Sequence, residues 1–251
     1  MFDVSFIPAF KDNYIWLLTQ GSSAFVVDPG EAAPVLARLE ADGLRLEGIL
    51  ITHHHGDHQG GVGELKAHYK PEVFAPAKES ITGCTRPLDG GERIEVLGQT
   101  LQVMAVPGHT LGHIAYYAPG LLFCGDTLFG AGCGRLFEGT PAQMAASLDS
   151  FAALPDETLI YCAHEYTEMN LRFALAVEPD NLALRQRVTR VAAQRAAGLP
   201  SVPSTLAEEK ATNPFLRSGE AAVIAAGLQH DAVDRSKTAI FSAIRGWRNV
   251  F

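Results

Sequence analysis

The chain has 251 residues, 47% of them hydrophobic and 19% charged, enough for a sizeable core and for one large or two modest domains. Its formal charge of −8 argues against nucleic acid as a partner, because phosphate binding calls for a basic face. No apolar run approaches the roughly 18–20 residues that cross a bilayer, and the start, MFDVSFIPAF, lacks the features of a signal peptide, so a cytoplasmic protein with no membrane partner is expected.

In chain order, VSFIPAF, YIWLLTQ and AFVVDPG read as short strands rich in β-branched and aromatic residues. EAAPVLARLEADG reads as a helix, with Val35, Leu36 and Leu39 on one face and Gly43 placed to end it. LEGILIT is a strand whose continuous apolar character predicts burial on both faces. VGELKAHYK is a short helix and EVFAP a strand. IEVLGQTLQVMAVPGH predicts two strands around Gly98, and HIAYYAP and LLFCGD two more with a turn at Pro119-Gly120. Thr140, Pro141 and Gln143 then form the start of a helix whose inner face is Met144, Leu148 and Phe151. TLIYCAHEY is a strand. From about residue 167 the pattern is helical to the end, with a second capping-box signature at Thr205 and Glu208. A domain boundary is placed near residue 165, dividing 1–165 from 166–251. Two groups of strands with helices between them predict an α/β sandwich and not a doubly wound sheet. GxGxxG and P-loop motifs are both absent. The four cysteines, Cys84, Cys124, Cys133 and Cys162, form no CxxC pair and read as buried small hydrophobes.

The stretch THHHGDH, residues 52–58, follows the strand LEGILI, and loops at strand ends are where α/β proteins place their sites. In extended chain, residues two apart point the same way, so His53 and His55 can converge on one ion. Asp57 and His58 lie one step beyond and suit a second ion, with Gly56 letting the backbone turn between the two pairs. His54 is expected to point elsewhere. More donors follow at strand ends: His109 in VPGHT, Asp126 in LLFCGDTL and His164 in IYCAHEY. Each histidine alone reads as a hydrogen-bonded structural residue, and Asp126 alone as an N-cap or turn residue. Together they make five histidines and two aspartates, too many for one tetrahedral ion. They fit two ions, one held by His53, His55 and His109, the other by Asp57, His58 and His164, with Asp126 as the bridge. Two such ions can share a water and render it hydroxide near neutral pH. Zinc is the default for this donor mix, and iron and manganese accept the same donors. Asp28, in VVDPG, is expected either to partner a ligating histidine or to serve a turn. His113 is expected to orient its loop.

THHHGDH resembles the HxHxDH motif of the metallo-β-lactamase superfamily, and His109, Asp126 and His164 resemble its later ligand motifs. This implies an αββα sandwich over roughly residues 1–165. GDTLFGAGCGRLFEGT, AHEYTEMNLRFALAVEP, TLAEEKATNPFLR and IRGWRNVF further resemble the glyoxalase II family, the hydroxyacylglutathione hydrolases. That resemblance spans the whole chain. It implies a smaller all-helical C-terminal domain that contributes to a glutathione pocket, with contacts from Arg135, Phe137, Tyr166, Arg245 and Arg248. The chain departs from many relatives in having Arg135 for Lys and Phe137 for Tyr, so one hydrogen bond worth about 0.5–1.5 kcal/mol is expected to be missing. Gly56 replaces a bulkier residue and is expected to open the site slightly.

Beside the resemblance, Arg245 and Arg248 are i, i+3 on a predicted helix, and arginine grips carboxylates, of which glutathione has two. Alone, that pair reads equally as a solvated basic helix end. The resemblance implies hydrolysis of S-(2-hydroxyacyl)glutathione, typically S-D-lactoylglutathione, to D-lactate and glutathione in methylglyoxal detoxification. Asp57 is expected to orient the attacking hydroxide. The leaving thiolate, with a thiol pKa of about 8.5, departs without a strong acid. The protein is expected to be a monomer with two divalent ions. The competing expectations are a mononuclear iron persulfide dioxygenase, disfavoured by the intact second donor set, and a non-catalytic metal- or glutathione-binding protein.

Overall fold

The computed structural model describes residues 2–251. It divides into two compact units. The first runs to Ala105 and resumes over Leu111–Gly125, and the second comprises Val106–Thr110 and Asp126–Phe251.

The first unit opens with β1 (Asp3–Ala9), β2 (Asn13–Gln20) and β3 (Ser23–Val27), antiparallel neighbours. Helix α1 (Ala33–Asp42) leads to β4 (Arg45–Leu50). Helices α2 (Gly56–Gln59) and α3 (Val62–Tyr69) lead to β5 (Glu72–Pro76) and β6 (Arg86–Leu88). The six strands form one mixed sheet in sequence order, β3 to β6 being parallel. Helix α1 ends where Gly43 takes φ 64, and its N–H closes onto Leu39 and Glu40 carbonyls, the left-handed cap that glycine takes without steric cost. Val35 and Leu39 of α1 and Val62 and Leu65 of α3 cover one sheet face, packed on Ile15, Leu17, Val26, Leu46 and Ile49. Gly48, Ile49 and Leu50 of β4 are buried in succession, so both faces are covered there, as its apolar run predicts.

β7 (Arg93–Val96), β8 (Gln99–Ala105), β9 (Ile114–Ala118) and β10 (Leu121–Gly125) follow as an antiparallel meander. The reversals sit where expected, at Gly98 (φ 73) and Gly120 (φ 89). Tyr116, wholly buried on β9, donates its hydroxyl to the carbonyl oxygens of Ile51 (2.8 Å) and Phe74 (3.3 Å). This ties the meander to the loop that carries the histidines. Burial pushes the Tyr116 phenol well above its usual pKa, so it remains a donor.

The second unit contains β11 (Leu128–Phe129), β12 (Gly132–Cys133), α4 (Pro141–Ala152) and β13 (Leu159–Cys162). It continues with α5 (Thr167–Val177), α6 (Leu182–Ala196), β14 (Ser204–Thr205), α7 (Leu206–Thr212), α8 (Ala221–Gln229) and α9 (Lys237–Val250). Thr140 and Gln143 make the full reciprocal capping box on α4, worth about 1 kcal/mol. Met144, Leu148 and Phe151 are its buried face. At α7 only half of the expected box forms. Thr205 accepts from Glu208 N, but the Glu208 carboxylate turns to Arg190 and Arg187, because two guanidiniums outcompete one backbone N–H. The helices close on Phe173, which stacks on Phe215 (6.1 Å) and meets Trp247 edge-on (5.0 Å). No helix among the described residues is long and apolar enough to cross a membrane.

Candidate metal centre and cavity

In the first unit, one carboxylate sets the state of two histidines. Asp28 sits at φ 52 just past β3. Its Oδ1 accepts from Thr52 N (2.8 Å), and its Oδ2 accepts from Thr52 Oγ1 (2.7 Å). The single hydroxyl proton of Thr52 is thereby used, so Thr52 Oγ1 must accept from His53 Nδ1, 3.0 Å away. His58 Nδ1 lies 3.0 Å from Asp28 Oδ2 and donates to it. Both rings are thus held with the proton on Nδ1 and the lone pair on Nε2, the tautomer a metal ligand needs. Asp28 therefore fills both roles expected of it, a turn and a histidine partner.

The expected donors of this unit come together. His53 Nε2 is 3.0 Å from His55 Nδ1, and His58 Nε2 is 3.5 Å from Asp57 Oδ2. His54 turns away to Glu79 Oε2 (3.0 Å), and His113 stacks on His53 with centroids 4.7 Å apart. The structure corrects the reading of Gly56. It begins α2 with ordinary backbone angles, the turn being made by His55 as N-cap. An added Cβ would meet nothing within 4 Å, so the turn does not depend on its being glycine. Sequence reading also missed Asn13, whose buried amide donates to Asp57 Oδ2 (3.1 Å). A lone Asn at the start of a strand carries no signal of that reach.

In the second unit, His109 is oriented by backbone instead. Its Nδ1 lies 2.8 Å from the Arg135 carbonyl oxygen and donates to it, which leaves the lone pair on Nε2. Asp126 stands between two imidazoles, with Oδ2 3.4 Å from His109 Nε2 and Oδ1 3.4 Å from His164 Nε2. Each carboxylate oxygen faces one histidine, as a bridging ligand would. In the neutral tautomer, His109 Nε2 and Asp126 Oδ2 are two acceptors facing each other. A cation between such groups turns repulsion into ligation, so the donor chemistry fits a divalent metal site. Tyr166 stacks on His164, with centroids 4.6 Å apart and planes 6° from parallel. Gly134 lets the chain pass close to Asp126, since a Cβ there would lie 1.9 Å from the Asp126 carbonyl oxygen.

Beside these donors the second unit encloses a cavity of about 390 Å³, within the usual range for small-molecule sites. All five residues expected to hold glutathione line it, namely Arg135, Phe137, Tyr166, Arg245 and Arg248, together with His109 and Asp126. Arg245 is only 7% exposed and donates to the Cys133 carbonyl (2.9 Å) and to Asn249 Oδ1 (3.0 Å), so it is no solvated helix end. Arg248 donates to Asn170 Oδ1 (3.3 Å). Burial, and then the Arg245 charge, lower the Arg248 pKa from its usual value, which favours an anionic occupant. Phe137 is 59% exposed, its ring edge-on to His109 at 5.3 Å. Cys133 also lines the cavity, and burial raises its thiol pKa despite the pull of Arg245. Cys162, deeper in the unit, is raised by burial to about 12.

A mixed α/β unit, histidine and aspartate donors at strand ends and a helical C-terminal region define a metal-dependent hydrolase of the metallo-β-lactamase class. The sequence model of the metallo-beta-lactamase superfamily matches residues 10–164, and that of the hydroxyacylglutathione hydrolase C-terminus matches residues 165–251. The chain belongs to the hydroxyacylglutathione hydrolase family of that superfamily. It is 76% identical to the hydroxyacylglutathione hydrolase of Dechloromonas aromatica and 56% identical to that of Methylobacillus flagellatus, with full coverage of all chains. Among solved structures, it is similar to a protein crystallised in a di-iron-bound form, with 30% identity, a TM-score of 0.55 and coverage of 63% of this chain and 90% of that one.

Proposed function

We propose that the two donor sets act as one binuclear centre for thioester hydrolysis, His53, His55 and His109 holding one divalent ion and Asp57, His58 and His164 the other, with Asp126 between them. When bound, such ions supply hydroxide near neutral pH and polarise a carbonyl oxygen. The observation that carries the reading is Asp126, with one carboxylate oxygen toward each of two histidine Nε2 atoms, beside an arginine-lined cavity. The substrate is an S-(2-hydroxyacyl)glutathione, typically S-D-lactoylglutathione, and the products are D-lactate and glutathione.

The chain's own residues supply position and charge. Asp57, steadied by Asn13, orients the nucleophile. Arg135, Arg245 and Arg248 hold the tripeptide carboxylates, a task suited to guanidinium groups. Tyr166 and Phe137 supply ring surface at the mouth. Cys133, kept as a thiol by burial, stays out of the chemistry. Zinc is the proposed metal, and the di-iron neighbour favours iron as an accepted substitute. The proposed domains are a metal-binding catalytic domain over residues 1–165 and a helical domain over residues 166–251 that contributes to the glutathione pocket. The proposed state is a cytoplasmic monomer.

The test is hydrolysis of S-D-lactoylglutathione by metal-analysed protein, with Asp126→Ala as control. Turnover in the wild type with near two metals per chain, lost in the control, is the expected result. Two bound metals without turnover would sink the assignment. Consumption of glutathione persulfide with oxygen would instead favour the dioxygenase reading.

A further inference from the structure

The β11–β12 hairpin has only two rungs, Leu128 opposite Cys133 and Phe129 opposite Gly132. A ladder so short does not hold its own shape. Its feet nevertheless carry function. Asp126 precedes it, and Arg135, whose carbonyl orients His109, follows it.

Helices beneath the hairpin clamp its tip. Glu209 of α7 is wholly buried. Its Oε2 accepts from Ala131 N (2.8 Å) and from Asn213 Nδ2 (3.0 Å). Its Oε1 accepts from Ser204 Oγ (2.6 Å) and from the guanidinium of Arg187, which is 1% exposed. Asn213 Nδ2 also reaches the carbonyls of Phe129 (3.2 Å) and Gly132 (2.9 Å), and Asn170 Nδ2 reaches that of Gly130 (3.0 Å). Ala131 stands at φ 53, an unfavourable angle for a residue with a Cβ. Glu209 receives the N–H that this angle turns inward.

A buried ion pair contributes little net stability over an apolar pair of similar volume. This one has instead a geometric result, since its carboxylate meets the hairpin at the point where the ladder gives no support. We propose that Glu209, held by Arg187, is a positioning residue for the reaction, fixing the hairpin tip and through it the spacing of Asp126 and Arg135 at the feet. The inference rests on the binuclear reading above.

The experiment compares Glu209→Gln, Asn213→Ala and Ser204→Ala with the wild type. The readouts are zinc affinity by chelator competition, kcat and KM on S-D-lactoylglutathione, and Tm. Glu209→Gln and Asn213→Ala, folded by circular dichroism, are expected to bind zinc at least tenfold more weakly. Their kcat should fall more than their KM rises. Ser204→Ala, which touches only the Arg187 side of the carboxylate, should lower Tm alone. Wild-type zinc affinity and kcat in the first two variants, with only Tm reduced, would overturn the proposal. If Glu209→Gln does not fold, Asn213→Ala decides on the same readouts, and loss of fold in both would assign the cluster to stability and likewise overturn it. A wild type that binds zinc without hydrolysing the thioester defeats the functional reading, while zinc competition still decides this one.

Discussion

The two units orient their histidines by different means. In the first, a side-chain carboxylate acts directly on His58 and through the Thr52 hydroxyl on His53. In the second, His109 bonds to a backbone carbonyl, that of Arg135. A carboxylate partner makes an imidazole a stronger donor and adds charge to the site. A carbonyl gives the same tautomer without charge, and no side-chain substitution removes it. The first arrangement is strong but open to single mutations. The second is weaker in its electrostatics but robust.

Asp28→Ala is the hardest blow to that comparison. It removes the acceptor of His58 and Thr52 together, and zinc affinity should fall about 10- to 100-fold in a chelator titration. A smaller loss would mean that the carboxylate does no more than the carbonyl. Thr52→Val separates the relay from its source. Asp28 still bonds to His58 and to Thr52 N, while the hydroxyl's bonds to Asp28 and to His53 both go; only the latter acts on an imidazole, so affinity should drop about 2- to 10-fold, the scale of one net hydrogen bond. Arg135→Ala tests the robust side. Zinc affinity should be unchanged because the carbonyl remains, while KM rises about 2- to 5-fold, the scale of an exposed ion pair. Any loss of metal there would break the argument. The smallest expected effect is none. Iodoacetamide at pH 8 should leave Cys133 of the second unit unmodified in native protein, since burial keeps it a thiol. The half-buried Cys84 of the first should react, and mass spectrometry of the labelled peptides distinguishes them.

Much of this was legible in the sequence, for local reasons. The strands announce themselves by short apolar runs, Gly43 and Thr140 by cap chemistry, and the candidate donors by their spacing and by following strands. Helix α2 was not legible, because four residues after an N-cap histidine carry no periodicity. Nor was the half-formed box at Thr205, since the partners of Glu208 lie 18 residues or more away. The clamp on the hairpin is more distant still. Glu209 and Ala131 are 78 positions apart, and only the folded chain brings an N–H that needs an acceptor to a carboxylate that needs a donor. The role of Asp28 could be named but not weighted, because its bonds to Thr52 and His58 depend on how β3 and β4 align.

Position 135 divides two duties between its backbone and its side chain. The carbonyl orients His109, and the guanidinium lines the cavity. For a protein engineer, that makes it an interchangeable tool on a fixed holder. A saturation library at this codon, proline set aside, can search for new thioester preferences while every member keeps the same imidazole alignment.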